Sequence, residues 1–248
     1  MYKKIKSNEN GAWVVMQLKA KGKTKEIYTS NVIIIKYTDT ITAMNGLRKD
    51  EIPGKGYVTA YISALLFEQL NNLGINTHYR SSRTNEHTCK WAVPLRVEVV
   101  VRNYTAGSIC KRLNIPEGTK LNKPCIEFYL KDDSLNDPLL TESEIDVLNM
   151  LPEGVTTDLI KHTALEINQI LYDIFDIYGI SMYDVKLEFG MDEDGQLILI
   201  DELSPDNMRL RRINDNGSVT IYDKDLYRQG HSLEEVLNAY TEILHTLW

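Results

Sequence analysis

Apolar and polar residues alternate along Tyr183-Asp184-Val185-Lys186-Leu187-Glu188-Phe189-Gly190, and a second run, Ile198-Leu199-Ile200, leads into Asp201-Glu202. Successive strand side chains point to opposite faces. Val185, Leu187 and Phe189 therefore line one face, with Asp184, Lys186 and Glu188 on the other. A solvated strand face alternates in the same way, so the turn between the runs matters more. Asp194-Gly195 is a strong hairpin signal that favours a two-residue turn. Such a turn pairs Glu193 with Gln196 and sets Glu188 directly opposite Asp201. Like charges facing across a ladder are destabilising. A hard cation between them would offset the repulsion, and Mg²⁺ is commonly held by one or two carboxylates plus substrate phosphates. The hairpin reads as a metal–phosphate platform.

The same patterning predicts the other elements. Trp13–Leu18 and Asn31–Tyr37 read as strands around a lysine-rich turn at 21–25, after a polar lead-in of a dozen residues. Thr38–Gly56 reads as a loop with two glycine turns. Tyr57–Leu73 has helical spacing and a natural stop at Gly74. Thr77–Arg83, Trp91–Val101 and Ile126–Lys131 read as strands, and Ala106–Leu113 as a short helix. Thr156–Tyr178 and Leu233–Leu247 are amphipathic helices flanking the carboxylate hairpin. Strands early and helices around a hairpin late predict an α+β chain of two lobes with a cleft between them. The expected division is a β-rich lobe over 1–85 and an α+β lobe over 86–248.

Composition narrows the class. The 248 residues are 43% hydrophobic and 25% charged, ordinary for a globular enzyme. A net charge of -7 argues against a general nucleic-acid binder. Cys89, Cys110 and Cys125 are odd in number and lack metal-ligand spacing. They read as free thiols in a reducing compartment. The chain shows no secretory leader and no apolar run of membrane-spanning length, so a cytoplasmic location is expected. The five histidines have no partner spacing for zinc and are assigned no chemistry.

Four further segments carry candidate chemistry. Gly22-Lys23-Thr24-Lys25 sits in a turn where backbone N–H groups and two ammoniums could meet an anion, although a solvated hairpin reads the same way. Pro53-Gly54-Lys55-Gly56 opens a helix, whose N-terminus favours anions. Arg102 ends a valine-rich strand and Ser108 opens the next helix, which suits a phosphate monoester. An N-cap serine beside a surface arginine suits those residues equally well. Ser204-Pro205-Asp206-Asn207-Met208-Arg209 projects Asp206 and Arg209 toward whatever Glu188 and Asp201 face.

Taken in order, GKTKEIY (22–28), D-x-I-T-A-x-N-G (39–46), IPGKG (52–56), EVVVRNYTAGS (98–108), EFYLKDD (127–133), VKLEFG (185–190), DELSPDNMRL (201–210) and YDKDLYR (222–228) resemble one family. It is the phosphoribosylaminoimidazole-succinocarboxamide synthase (SAICAR synthetase) family, matched from Leu18 onward. The resemblance implies a two-lobed α+β fold related to ATP-grasp, with antiparallel sheets, flanking helices and a central cleft. It implies a ligase that uses ATP and Mg²⁺ to join the carboxylate of carboxyaminoimidazole ribonucleotide (CAIR) to the amine of L-aspartate through an acyl phosphate, in purine biosynthesis. Members are often homodimers. By matched position, Gly22, Lys23, Lys25 and Lys55 would meet ATP, and Glu188 and Asp201 would hold Mg²⁺. Lys186 would lie near the reacting carboxylate, making Lys186, Glu188 and Asp201 the catalytic set. Arg102, Ser108 and Arg209 would grip the nucleotide's phosphate. Asp184 and Asp206 would bind ribose or base, Asp39 and Lys55 would ride on a mobile segment, and Lys224 and Arg228 would form a basic pair nearby.

One departure stands out. Where the family usually has Trp-Asp after Arg209-Leu210, this chain has Arg211-Arg212, which the resemblance places as two cations beside the cleft. The usual aromatic before Gly22 is also missing. These changes leave open a paralogue with a different acid or amine, and more remotely a nucleotide-binding regulator without turnover.

Overall fold

A computed structural model describes residues 2–6, 13–29 and 32–248. The first half of the chain builds strands β1 (Tyr2–Lys6), β2 (Trp13–Lys21), β3 (Lys25–Thr29), β4 (Ile33–Tyr37), β5 (Thr40–Ala43) and β6 (Arg48–Glu51), then helix α1 (Lys55–Asn72) and strands β7 (Tyr79–Arg83) and β8 (Glu86–Cys89). The order continues with β9 (Val93–Tyr104), α2 (Ser108–Leu113), β10 (Lys120–Leu130), β11 (Leu139–Leu140), α3 (Glu142–Val147) and α4 (Thr157–Asp176). It closes with β12 (Ser181–Met191), β13 (Leu197–Ile200), β14 (Met208–Ile213), β15 (Val219–Ile221), α5 (Asp225–Gln229) and α6 (Leu233–Leu247).

The strands form two larger antiparallel sheets and a hairpin. The first sheet runs β1-β2-β3-β4-β8-β7, the second β11-β10-β9-β12-β14-β15 with β13 also paired to β12, and β5-β6 stand apart. The chain passes from the first sheet to the second between Cys89 and Val93. One hydrophobic cluster joins Ile62, Leu66 and Phe67 of α1 to Val99 and Val101 of β9, Val185 and Leu187 of β12, Ile167 and Leu171 of α4 and Tyr240 of α6. The alternation read in β12 holds: Val185, Leu187 and Phe189 are buried in that cluster.

Three expectations are corrected. The polar lead-in contributes a strand, β1, paired antiparallel to β2 at the sheet edge (Tyr2 with Gln17, Lys6 with Trp13); residues 7–12 lie outside the described residues, as does Asn31. A lysine-rich edge strand has no apolar periodicity to announce it. The segment taken as a loop over 38–56 contains the β5–β6 hairpin, whose Thr-Ile-Thr-Ala strand is hidden among turn residues. It docks on α5, where Arg48 donates to the Tyr227 carbonyl (2.7 Å) and stacks over its ring at 4.0 Å.

The third correction concerns register. Glu188 pairs with Ile200, not Asp201. Asp192 N–H donates to the Gln196 carbonyl at 3.0 Å, so the turn has three residues, with Gly195 at φ 73°. The Asp192 carboxylate captures the amides of Asp194 and Gln196 (3.0 and 2.9 Å), which favours this longer turn. A one-residue slip flips a strand's side chains to the other face. Asp201 escapes because it lies just beyond β13 with φ 72°, a left-handed conformation that re-aims its side chain.

Candidate active site

Two charged clusters form on the charged face of β12. In the first, Lys186 on β12 reaches Glu188, Asp201 Oδ2 at 3.6 Å and Glu98 Oε1 at 3.4 Å. Lys25, at the start of β3, pairs with Asp201 and with Glu202 Oε1 at 2.8 Å. Lys131 pairs with Glu188 and lies 3.7 Å from Glu98. The two hairpin carboxylates thus converge on a single ammonium despite the altered register. The like charges that do face each other across a ladder are Glu188 and Glu98, paired between β12 and β9.

Electrostatics fixes the protonation states here. Burial alone would lower the Lys25 and Lys186 pKa values, but the attraction of Asp201 and Glu202 for the first, and of Glu188, Asp201 and Glu98 for the second, raises both. Burial likewise opposes ionisation of Glu188 and Asp201, and the lysines overcome it, leaving both carboxyls below their ordinary values. Glu98 goes the other way, raised by burial and by Glu188 despite the two lysines. Protonated lysines stabilise negative charge and cannot act as bases.

The second cluster is built on arginines. Arg102 on β9 is buried, with Nε on Glu127 (2.7 Å), Nη1 on Asp184 (2.6 Å) and Nη2 on Ser108 Oγ (2.9 Å). Arg209 on β14 donates Nη1 to the same Asp184 Oδ2 (2.7 Å) and Nε to Asp225 Oδ2 (2.8 Å). Its guanidinium lies where a Cβ on Gly107 would stand, with Nη2 at 2.5 Å from that position, and Gly107 has φ 65°. Only glycine admits both that backbone and that arginine.

Between the clusters is a cavity of about 140 Å³ lined by Arg102, Asp184, Lys186, Asp206, Arg209 and Arg228. Six of the residues singled out from sequence meet there. Asp206 also receives Lys55, which is buried at the start of α1, and Tyr240 OH at 2.8 Å. A neighbouring polar cavity of about 350 Å³ is lined by Lys23, Lys224, Arg228, Gly46 and the 136–137 turn. Lys23 lies there beside Asp133 at 2.7 Å. Gly22 lies in the β2–β3 turn, its N–H donating to the Lys25 carbonyl (2.8 Å). Lys224 caps α5, and burial, with help from Arg228 and Lys55, lowers its pKa against the pull of Asp206. A further cavity of about 420 Å³ beside Tyr61 and Trp248 contains none of these residues.

Asp39 does not line either charged cavity. Its carboxylate accepts the Gly56 N–H at 2.9 Å and its carbonyl the Ile52 N–H at 2.8 Å, so it anchors the start of α1. The Arg211-Arg212 departure also needs correcting. Arg211 is buried beside Asp223 and Asp225, whereas Arg212 turns to the opposite face, onto Tyr222 OH (2.6 Å) and Glu242 (3.2 Å). Alternation along β14 separates them. Sequence reasoning missed Lys131, Glu98, Glu127, Glu202, Asp225 and Tyr240. Lys131 and Asp225 lie inside EFYLKDD and YDKDLYR, motifs that could have exposed them. Among the described residues no group of three or more His, Cys, Asp or Glu side chains is arranged to hold a metal ion, and no helix is long and apolar enough to cross a membrane.

The family model described as SAICAR synthetase matches residues 18–247. The chain is 45% identical over 237 residues to phosphoribosylaminoimidazole-succinocarboxamide synthase of Bacillus subtilis (strain 168), covering 93% of this chain and 95% of the relative. The crystal structure of phosphoribosylaminoimidazole-succinocarboxamide synthase from Ehrlichia chaffeensis is similar with a TM-score of 0.86 and 38% identity, covering 93% of this chain and 98% of that one. A SAICAR synthetase solved in complex with ADP gives a TM-score of 0.83 at 35% identity, covering 92% and 96%.

Proposed function

The chain belongs to the SAICAR synthetase family, and from that premise we propose how its residues carry out the family's reaction. The protein is an ATP-dependent carbon–nitrogen ligase of purine biosynthesis that joins the CAIR carboxylate to the L-aspartate amine, giving SAICAR, ADP and phosphate. The observation that carries the residue assignment is the meeting of Lys25, Lys186, Glu188 and Asp201 beside the Arg102–Asp184–Arg209 cluster.

A carboxylate is a poor electrophile, so ATP must first activate it. In this reading a CAIR carboxylate oxygen attacks the γ-phosphorus, the bond to the bridging oxygen of ADP breaks, and an acyl phosphate forms. The aspartate nitrogen then attacks the carbonyl carbon, loses a proton, and expels phosphate as the C–N bond forms. Catalysis of such a step is mostly positioning and charge stabilisation. Lys25 and Lys23 would face the ATP phosphates, and Lys186 the oxygens between which the phosphoryl group moves. Arg102, Ser108 and Arg209 would hold the 5′-phosphate of CAIR, with Asp184 keeping the two guanidiniums in register. Lys224 and Arg228 would receive an anionic group in the cavity they share with Lys23. Lys55 would fix Asp206 for the nucleoside.

Glu188 and Asp201 suit Mg²⁺: they already share one cation, the Lys186 ammonium, and substrate phosphates would complete the shell. The ion would supply charge neutralisation for the phosphates. Saturating ATP with Mg²⁺ is expected to raise the melting temperature by about 5 °C through linkage, and ATP with a chelator by less than half of that. Equal shifts would remove the metal from this reading.

The activity itself is tested by ADP release. It should require CAIR and L-aspartate together, and omission of either should abolish it. Release with another amine, but none with aspartate, would favour the paralogue with altered specificity.

A further inference from the structure

Asp225, at the start of α5, holds three guanidiniums. Its Oδ2 accepts Arg209 Nε at 2.8 Å and Arg211 Nη2 at 2.6 Å, and its Oδ1 accepts Arg228 Nη1 at 2.5 Å. Arg209 Nη1 is likewise bound to a shared atom, Asp184 Oδ2, which Arg102 also uses. Both anions that compensate Arg209 are therefore divided among other cations. Arg209 Nη2 rests against Gly107 at the start of α2 and has no protein partner among the described residues. Arg211 itself does not line the cavity. It is buried beneath Arg209 on the same face of β14, close to the Tyr183 ring, with Glu117 at 3.7 Å on its solvent side.

We propose that Arg211 is a positioning residue: by sharing Asp225 Oδ2 with Arg209 it keeps that carboxylate from drawing the Arg209 guanidinium inward, so that the Nη2 edge stays available to the substrate's phosphate monoester. This rests on the placement of that phosphate at Arg102, Ser108 and Arg209. A carboxylate held by one fewer cation draws its remaining partners closer and neutralises them more fully, because attraction in a poorly solvated site is strong. Without Arg211, Asp225 pairs more fully with Arg209, and the anion site weakens although every residue lining it is intact.

Arg211 has a second partner whose loss would be purely structural. Asp223 is fully buried, touches Arg211 through Oδ2, and accepts the Leu210 N–H (2.9 Å) and the Asp225 N–H (2.8 Å). Removing Arg211 alone leaves Asp223 a buried unpaired charge, which is strongly destabilising. The double variant Arg211→Met with Asp223→Asn removes that penalty while still freeing Asp225 Oδ2 from Arg211.

The test is steady-state kinetics and thermal unfolding of Arg211→Met, Arg211→Lys, the double variant and Arg209→Met. Arg211→Met is expected to raise KM for CAIR about tenfold, with kcat and KM for ATP within about twofold. Arg211→Lys should recover most of the loss, since it restores a cation. The double variant should regain melting temperature yet keep the raised KM for CAIR. A KM that recovers with the melting temperature, or one that never rises in Arg211→Met, overturns the inference while leaving the phosphate site standing. An unchanged KM for CAIR in Arg209→Met overturns the phosphate placement itself, and the inference with it.

Discussion

Glu188→Gln is expected to lower kcat by about a thousandfold, the scale of losing a group that fixes transition-state charge, while the folded structure survives. The carboxylate anchors two lysines at once, Lys186 and Lys131. Glutamine keeps its shape but offers no charge, so both ammoniums lose the anion that, in the proposed mechanism, aims them at the moving phosphoryl group. The fold tolerates the change because neither lysine is sealed from water: their side chains are 28% and 43% exposed and can be hydrated. The core face of β12 is untouched, since Val185, Leu187 and Phe189 point the other way. Single-turnover ADP formation, set beside the melting temperature, checks both halves. Near wild-type turnover in the folded variant would remove Glu188 from the machinery, and a regulator without turnover would show no activity to lose.

Acidification from pH 8 to pH 5 is expected to cost the fold about 4 kcal/mol, about 2 from each of two buried histidines. His87 donates Nε2–H to the Ala60 carbonyl (2.9 Å) and its Nδ1 meets Tyr37 OH at 3.2 Å, an arrangement that needs the neutral ring. Burial pushes its pKa down to about 4, although the Ala60 carbonyl opposes this. His78 packs against Phe67 at 5.2 Å with its Nε2 buried and unpartnered; burial, then the neighbouring His87, push its pKa down to about 3. An unfolded histidine titrates near 6.5. Between that value and the folded pKa the unfolded chain binds more protons, so stability falls as pH falls through this window. Depressed carboxylates such as Asp201 act oppositely in kind: their contribution is complete above ordinary carboxylate values and fades only below them. The decline between pH 6.5 and 5 thus comes from the histidines, opposed by the raised Glu98 carboxyl, which favours the folded state as pH falls. Urea unfolding at pH 8, 6.5 and 5 measures it, and His78→Phe should remove about half. A flat profile, or an unaltered slope in His78→Phe, would contradict these assignments.

The legible parts of the site were those whose chemistry is written in short segments. Asp184, Lys186 and Glu188 share a strand face because side chains alternate with period two, and Val185, Leu187 and Phe189 had to face the core. Arg102 beside Ser108 was visible as a strand end meeting a helix start, and the two are 2.9 Å apart. Less legible were partners from distant strands. Lys131 reaches Glu188 across 57 residues of chain and Lys25 reaches Asp201 across 176, separations at which no spacing rule operates. The hairpin shows the limit most clearly. Asp194-Gly195 marked the turn, yet the Asp192 side chain captured two amides and lengthened it by one residue, moving Ile200 opposite Glu188.

The sequence by itself determined the family, the α+β class, and the charged faces presented by β12 and by the Arg102 strand end, because local periodicity and ordered motifs depend only on neighbours along the chain. Tertiary structure alone decided that Asp201 turns back through a left-handed residue to meet Glu188 at Lys186, that Asp39 serves a helix start, and that Arg211 shares Asp225 while Arg212 leaves for the far face. Those outcomes depend on which charges are desolvated together, and burial sets their strength only once separate strands have packed.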